Sequence, residues 1–164
     1  MKWLGKIVAI LAAFSAVPAP VAAQESAPGA GSPVTLAGDV KAVKTVTDAE
    51  GVETVELVEP EVIVPGDRLV FGTDYANTGS ETVSDFVVTN PVPAAVRLAP
   101  DADPDLVVSV DGGKTWGTLS ELTALGEDGA TRPATHADVT HVRWTIESIA
   151  PGETGRLEYP AIIR

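Results

Sequence analysis

The stretch HVRWTIE, residues 141–147, decides the fold class. Val142, Trp144 and Ile146 fall on one side of an extended chain and His141, Arg143, Thr145 and Glu147 on the other, because successive side chains of a strand point to opposite faces. One apolar face and one polar face mark a strand half-buried in an antiparallel sheet. The same alternation spreads outward from this segment. Leu157, Tyr159, Ala161 and Ile163 share a face near the end of the chain, where Pro160, lacking an N–H, is expected at an edge or a bulge. Leu106, Val108 and Val110 form another such set, as do Leu69, Phe71 and Tyr75 within 67–76, and Phe86 with Val88. Segments 40–47 and 52–58 flank Asp48-Ala49-Glu50-Gly51, a hairpin turn. Gly, Pro, Asp and Asn punctuate the chain at intervals of about 8 to 12 residues, the spacing of an all-β domain. No stretch after residue 23 keeps a helical apolar period. The pattern predicts an all-β, immunoglobulin-like antiparallel β-sandwich of seven or eight strands over residues 34–164.

Residues 1–23 read differently. Lys2 and Lys6 precede an apolar run from Ile7 to Val17, and small residues stand at Val21-Ala22-Ala23 before Gln24. These are the parts of a secretory signal peptide cleaved between Ala23 and Gln24. The run is short of the roughly 20 residues of a membrane span, so none is expected in the mature chain. Residues 24–33 (QESAPGAGSP) are small and turn-rich and read as a flexible linker. Export, to the periplasm or the medium, excludes cytosolic metabolism and transcription. The absence of cysteine excludes disulfides, thiolate metal sites, a cysteine nucleophile and a lipid-modified cysteine. The leader carries two of the 11 basic residues and none of the 23 acidic ones, so nine bases face 23 acids in the mature chain. Such a chain repels nucleic acid and anionic bilayers, and self-repulsion favours a monomer.

Pro65-Gly66-Asp67 precedes the strand that ends at Tyr75, then follow Asn77-Thr78-Gly79, a further strand and Asn90-Pro91-Val92-Pro93. Ala150-Pro151-Gly152-Glu153-Thr154-Gly155 introduces the last strand. Over most of 60–164 this arrangement resembles the conserved-repeat domain of bacterial exported and cell-surface proteins, a domain of unknown function with an immunoglobulin-like fold. The resemblance implies a non-catalytic structural or adhesive module of the cell envelope, in contact with an envelope or surface protein. Proline presets φ and glycine accepts positive φ in the Pro-Gly turns, while Asn77 is expected to bond its own backbone with Gly79 in the left-handed position. Many members of that family place an aspartate where this chain has Asn90.

Other residue sets suggest chemistry. Ser109-Val110-Asp111-Gly112-Gly113-Lys114-Thr115-Trp116 fits the S-x-D-x-G-x-T-W pattern and resembles the hairpin turns of sialidase-type propellers. A propeller repeats it in every blade, so a single copy reads as a well-specified turn, with Trp116 covering a core edge. Asp101, Asp103 and Asp105 alternate in a proline-bounded loop, one way to supply oxygen ligands to Ca2+, although neither the glycine nor the distal glutamate of a helix-loop-helix site is present. Glu56, Glu59 and Glu61 take the same reading with less support. His136, Asp138 and His141 suggest a metal site, but zinc wants three or four converging ligands and the chain has two histidines. No G-x-S-x-G elbow is present, and no enzyme is expected. A sugar-binding platform would draw on Trp116, since Trp144 and Tyr75 belong to apolar faces. Carbohydrate binding and calcium-stabilised adhesion stand as the alternatives to a protein-interaction module.

Overall fold

A computed structural model describes residues 32–47 and 49–164; the leader, its cleavage site at Ala23 and Gln24, most of the linker, and Asp48 lie outside them. The chain is an all-β antiparallel sandwich. One sheet contains β1 (Val34–Thr47), β2 (Glu53–Val58), β3 (Arg68–Asn77), β5 (Val96–Leu98) and β11 (Thr154–Ile163), in the order β2-β1-β3-β11-β5. The other contains β4 (Val83–Pro91), β6 (Val107–Ser109), β7 (Gly117–Thr118) and β10 (His141–Ile149), in the order β4-β10-β6-β7. A small ribbon pairs β8 (Thr123–Leu125) with β9 (Thr131–Pro133). The described residues thus hold more strands than the expected seven or eight. The surplus is β5, β7, β8 and β9, each two or three residues long and too short to alternate.

The faces follow the sequence pattern. Val142 and Val108 from one sheet meet Leu69, Tyr159, Ala161 and Leu98 from the other, all of them buried. Trp144 and Phe71 pack against this core, and Phe71 stacks on Tyr159 with ring centroids 5.0 Å apart. Polar contacts also join the layers: Asn90 Nδ2 donates to Thr73 Oγ1 at 2.7 Å, and the Tyr159 hydroxyl donates to the Pro91 carbonyl at 3.3 Å. Asn90 therefore serves as an inter-sheet tie.

The β3–β11 pair is closed at both ends by the same device. In Val64-Pro65-Gly66-Asp67 the Asp67 N–H donates to the Val64 carbonyl at 3.0 Å, Gly66 takes φ 97°, and the Asp67 carboxylate accepts the Val64 N–H at 2.8 Å. In Ala150-Pro151-Gly152-Glu153 the Glu153 N–H donates to the Ala150 carbonyl at 3.0 Å, Gly152 takes φ 77°, and the Glu153 carboxylate accepts the Ala150 N–H at 2.7 Å. Each turn then grips the end of the opposite strand. Gly66 N–H donates to the Ile163 carbonyl and Ile163 N–H to that of Asp67; Gly152 N–H donates to the Asn77 carbonyl and Asn77 N–H to that of Glu153. Buried Asn77 also donates from Nδ2 to the carbonyls of Glu81 and Ile149, both at 2.8 Å, while its Oδ1 accepts the Gly79 N–H at 3.0 Å. Since Ile149 ends β10, this amide ties the two sheets at that corner.

Four sequence readings change. Pro160 is not at a sheet edge, because β11 lies between β3 and β5. Its carbonyl accepts the Ala99 N–H at 2.9 Å, so the missing donor faces a point just past the end of β5, where no ladder bond is lost. Gly79 does not adopt positive φ; a Cβ there would lie 2.7 Å from the Pro33 side chain, so close approach of another segment requires the glycine. Pro33, in the span read as a linker, already belongs to the sandwich, since its carbonyl accepts the Thr78 N–H at 2.8 Å. Trp116 leaves the core altogether and lies on the outer face of the β4-β10-β6-β7 sheet.

Two measurements check this account. Asn77→Ala strands the buried Ile149 carbonyl and should lower unfolding free energy by about 1 to 3 kcal/mol in urea titration, whereas an unchanged midpoint would remove the amide from its bridging role. Burial alone pushes the Tyr159 phenol up to about 12. Absorbance titration should therefore resolve one of the two tyrosines near that value. A raised folded-state value stabilises the fold below the ordinary phenol range near 10, and that contribution fades as pH climbs toward 12.

Candidate functional site

The Ser109–Trp116 segment forms the compact turn its pattern predicts. The Ser109 hydroxyl donates to Asp111 Oδ1 at 2.8 Å and accepts the Gly113 N–H at 2.9 Å. The Asp111 carboxylate accepts the N–H groups of Lys114 and Thr115 and the Thr115 hydroxyl, while Gly112 and Gly113 carry positive φ. These donors, led by the Thr115 N–H, hold the Asp111 carboxyl well below the usual range. Trp116 Nε1 donates to the Gly113 carbonyl at 3.0 Å. The Arg143 guanidinium lies 3.5 Å from the Trp116 ring centroid and His141 meets the ring edge-on. One face of the indole is therefore occupied by Arg143, and no second aromatic extends it toward a sugar-stacking platform among these contacts.

The three aspartates of the proline-bounded loop part company. Asp101 pairs with Arg68, which lowers its carboxyl below the ordinary value. Asp103 Oδ1 accepts the Asp105 N–H at 2.9 Å, and the Leu106 N–H donates to the Asp103 carbonyl at 3.1 Å. Among the described residues no three His, Cys, Asp or Glu side chains gather as a metal site would require. Glu59 pairs with Lys41. Asp138 is a hub of a different kind. It binds Arg132 through both carboxylate oxygens at 2.7 Å and accepts the Thr135 N–H and hydroxyl. Arg132 contributes most to holding its carboxyl far below the usual range. His136 and His141 do not meet around it: His136 lines a pocket beside β5 and β6, and His141 abuts Trp116.

That pocket, about 380 Å3, opens between the sheets. Leu98, Leu106 and Val108 form its buried floor, Ala102, Pro104, Leu119 and Ala134 its sides, and Asp103, Ser120 and His136 its polar points. Sequence reading missed it because its lining comes from separate segments. At the opposite edge, β2 pairs only with residues 42–47 of β1. The outer edge of residues 34–41 therefore carries no strand among the described residues. The β1–β2 ribbon keeps Val46, Val55 and Leu57 exposed, at 39%, 69% and 49%, and the apolar Val62, Ile63 and Val64 beyond it are exposed too.

On the outer face of the larger sheet, Arg156 reaches Asp39, Asp74 and Glu158 across Gly72. A Cβ at Gly72 would meet the guanidinium at 2.0 Å, so only glycine lets Arg156 lie flat across three strands.

No family model, curated protein or solved structure matches the chain.

Asp111 and Asp138 set an acid response. Their carboxyls are depressed in the folded state, so the stability they confer is complete above the ordinary carboxylate range near 4. It drains away as pH falls below that range. The unfolding midpoint should drop steeply between about pH 4 and pH 2. Asp111→Asn with Asp138→Asn should flatten that slope, and an equally steep fall in the double variant would assign the response elsewhere.

Proposed function

We propose that the chain is a non-catalytic, exported structural or protein-interaction module of the bacterial cell envelope, and that its contact surface is the edge formed by β1 and β2. The observation that carries the reading is the β1–β2 ribbon. An isolated two-stranded ribbon is marginal in water, yet this one leaves Val55 and Leu57 exposed on one face and Val46 on the other. Contiguous exposed apolar side chains on a soluble domain mark interaction surfaces. The backbone supplies a second means of contact. Because β2 is an edge strand, every other N–H and C=O along Glu53–Val58 points away from β1, where an added strand of a partner would find it. Backbone bonding would supply affinity, and the exposed Val55 and Leu57 side chains would favour apolar side chains on the partner.

Expression in a bacterial cell envelope with a photo-crosslinking residue at Val55 tests the reading. A discrete protein adduct is expected from position 55, lost when Leu57→Lys is added, and absent from a probe at exposed Glu127. Leu57→Lys should itself shift stability by no more than about 0.5 kcal/mol, as surface changes do. The same adducts from both probe positions, or none from position 55, would overturn the edge as a contact surface.

A further inference from the structure

We propose that the pocket beside β5 and β6 binds a small molecule built of an apolar ring or short branched chain carrying one cationic amine, with the amine seated on Asp103. The cavity, about 380 Å3, falls in the size range of small-molecule sites, and its floor of Leu98, Leu106 and Val108 is core surface left open at the end of the sandwich.

The walls are held before any ligand arrives. The 99–106 loop is two successive turns, closed by Ala102 N–H to the Ala99 carbonyl and Leu106 N–H to that of Asp103, both at 3.1 Å. The Arg68–Asp101 pair fastens it to β3. Across the pocket, the Leu98 N–H donates to the His136 carbonyl at 3.2 Å, and the Asp138 hub with Arg132 and Thr135 fixes the segment from 132 to 138. Leu119 belongs to a 3-10 turn closed by Thr118 and Glu121, whose carboxylate accepts the Thr118 N–H at 3.0 Å. A preformed cavity binds without the cost of ordering its own loops.

Charge selects the ligand. No lysine or arginine lines the cavity, and Asp103 is its one acidic side chain. Asp101 is neutralised by Arg68, whereas Asp103 makes no ion pair among the described residues, and its carboxylate accepts only the Asp105 N–H, through Oδ1. The chain as a whole carries −12, which draws cations and repels anions at every approach. A neutral apolar molecule would fill the walls and leave the carboxylate unused.

Nuclear magnetic resonance of the full-length chain, titrated with benzylamine, benzyl alcohol and benzoate, tests this. Benzylamine should move the amides of Ala102, Leu106, Leu119, Ala134 and His136 saturably. Benzyl alcohol should bind there about three- to fivefold more weakly, the worth of one exposed charge pair, and benzoate more weakly still. Asp103→Asn keeps the oxygen that accepts the Asp105 N–H, so the loop should persist, and it should bring benzylamine down to the level of benzyl alcohol. The inference fails if none of the three moves the pocket amides, if all three bind alike, or if Asp103→Asn leaves the preference for the amine intact.

Discussion

The constraint on which the rest of the structure depends is the fixed register of β3 against β11. Two long strands far apart in sequence could slide by two residues and still present apolar faces, because the side-chain repeat is two. The Val64–Asp67 and Ala150–Glu153 turns forbid it. Each places a glycine N–H on the last carbonyl of the opposite strand and takes that residue's N–H in return, so both ends are fixed by pairs of bonds. With this register set, Phe71 stacks on Tyr159, the Tyr159 hydroxyl reaches Pro91, and Thr73 stands where Asn90 can bond it. Asn77, at the end of β3, carries the constraint across to β10. The second sheet is thus positioned by the first.

The acidic residues have a structural use that their number alone does not suggest. Asp67, Glu121, Glu153, Asp111 and Asp138 each accept a backbone N–H two to four residues away, and Asp103 does the same in its loop. A carboxylate is the strongest such acceptor available to a chain without disulfides, and a charged acceptor bonds more strongly than a neutral one. Part of the negative charge is therefore spent inside turns. The arginines offset more of that charge: Arg68 and Arg132 each pair with one aspartate, and Arg156 stands among Asp39, Asp74 and Glu158, which would otherwise repel one another across neighbouring strands.

The long strands were legible because alternation over seven or more residues repeats enough times to be read. Positions such as Val142, Trp144, Leu69 and Tyr159 were assigned to the core side from the sequence and are found there. The Pro-Gly turns were legible too, since proline and glycine restrict the backbone locally. What failed depended on partners distant in sequence. Gly79 answers to Pro33, and nothing within its own turn reveals that. Pro160 was read by what it lacks, but the side on which its neighbour strand ends is a property of the sheet. Trp116 sits in a motif that specifies a turn without saying which face of the sheet the indole covers. Asp101, Asp103 and Asp105 were spaced like ligands, and the turns of the folded loop send the first to Arg68 and the second to its own backbone. The pocket left no trace in the sequence because three separate segments line it.

An open edge beside an apolar ribbon would make a protein prone to pair with itself, and the distribution of charge opposes that outcome. Lys41, Lys44, Glu53 and Glu56 stand on the same ribbon as Val55 and Leu57, and Asp85 breaks the regular backbone of β4, the edge of the other sheet, with φ 52°. Charged side chains and a locally distorted strand are the means by which edges resist indiscriminate pairing. A second copy brings the same excess of acids to the contact, so long-range repulsion acts against like meeting like while leaving a neutral or basic partner free to approach. On the proposed reading, the edge itself would supply affinity for a partner and the field around it would supply selectivity, so an apolar ribbon need not lead to aggregation.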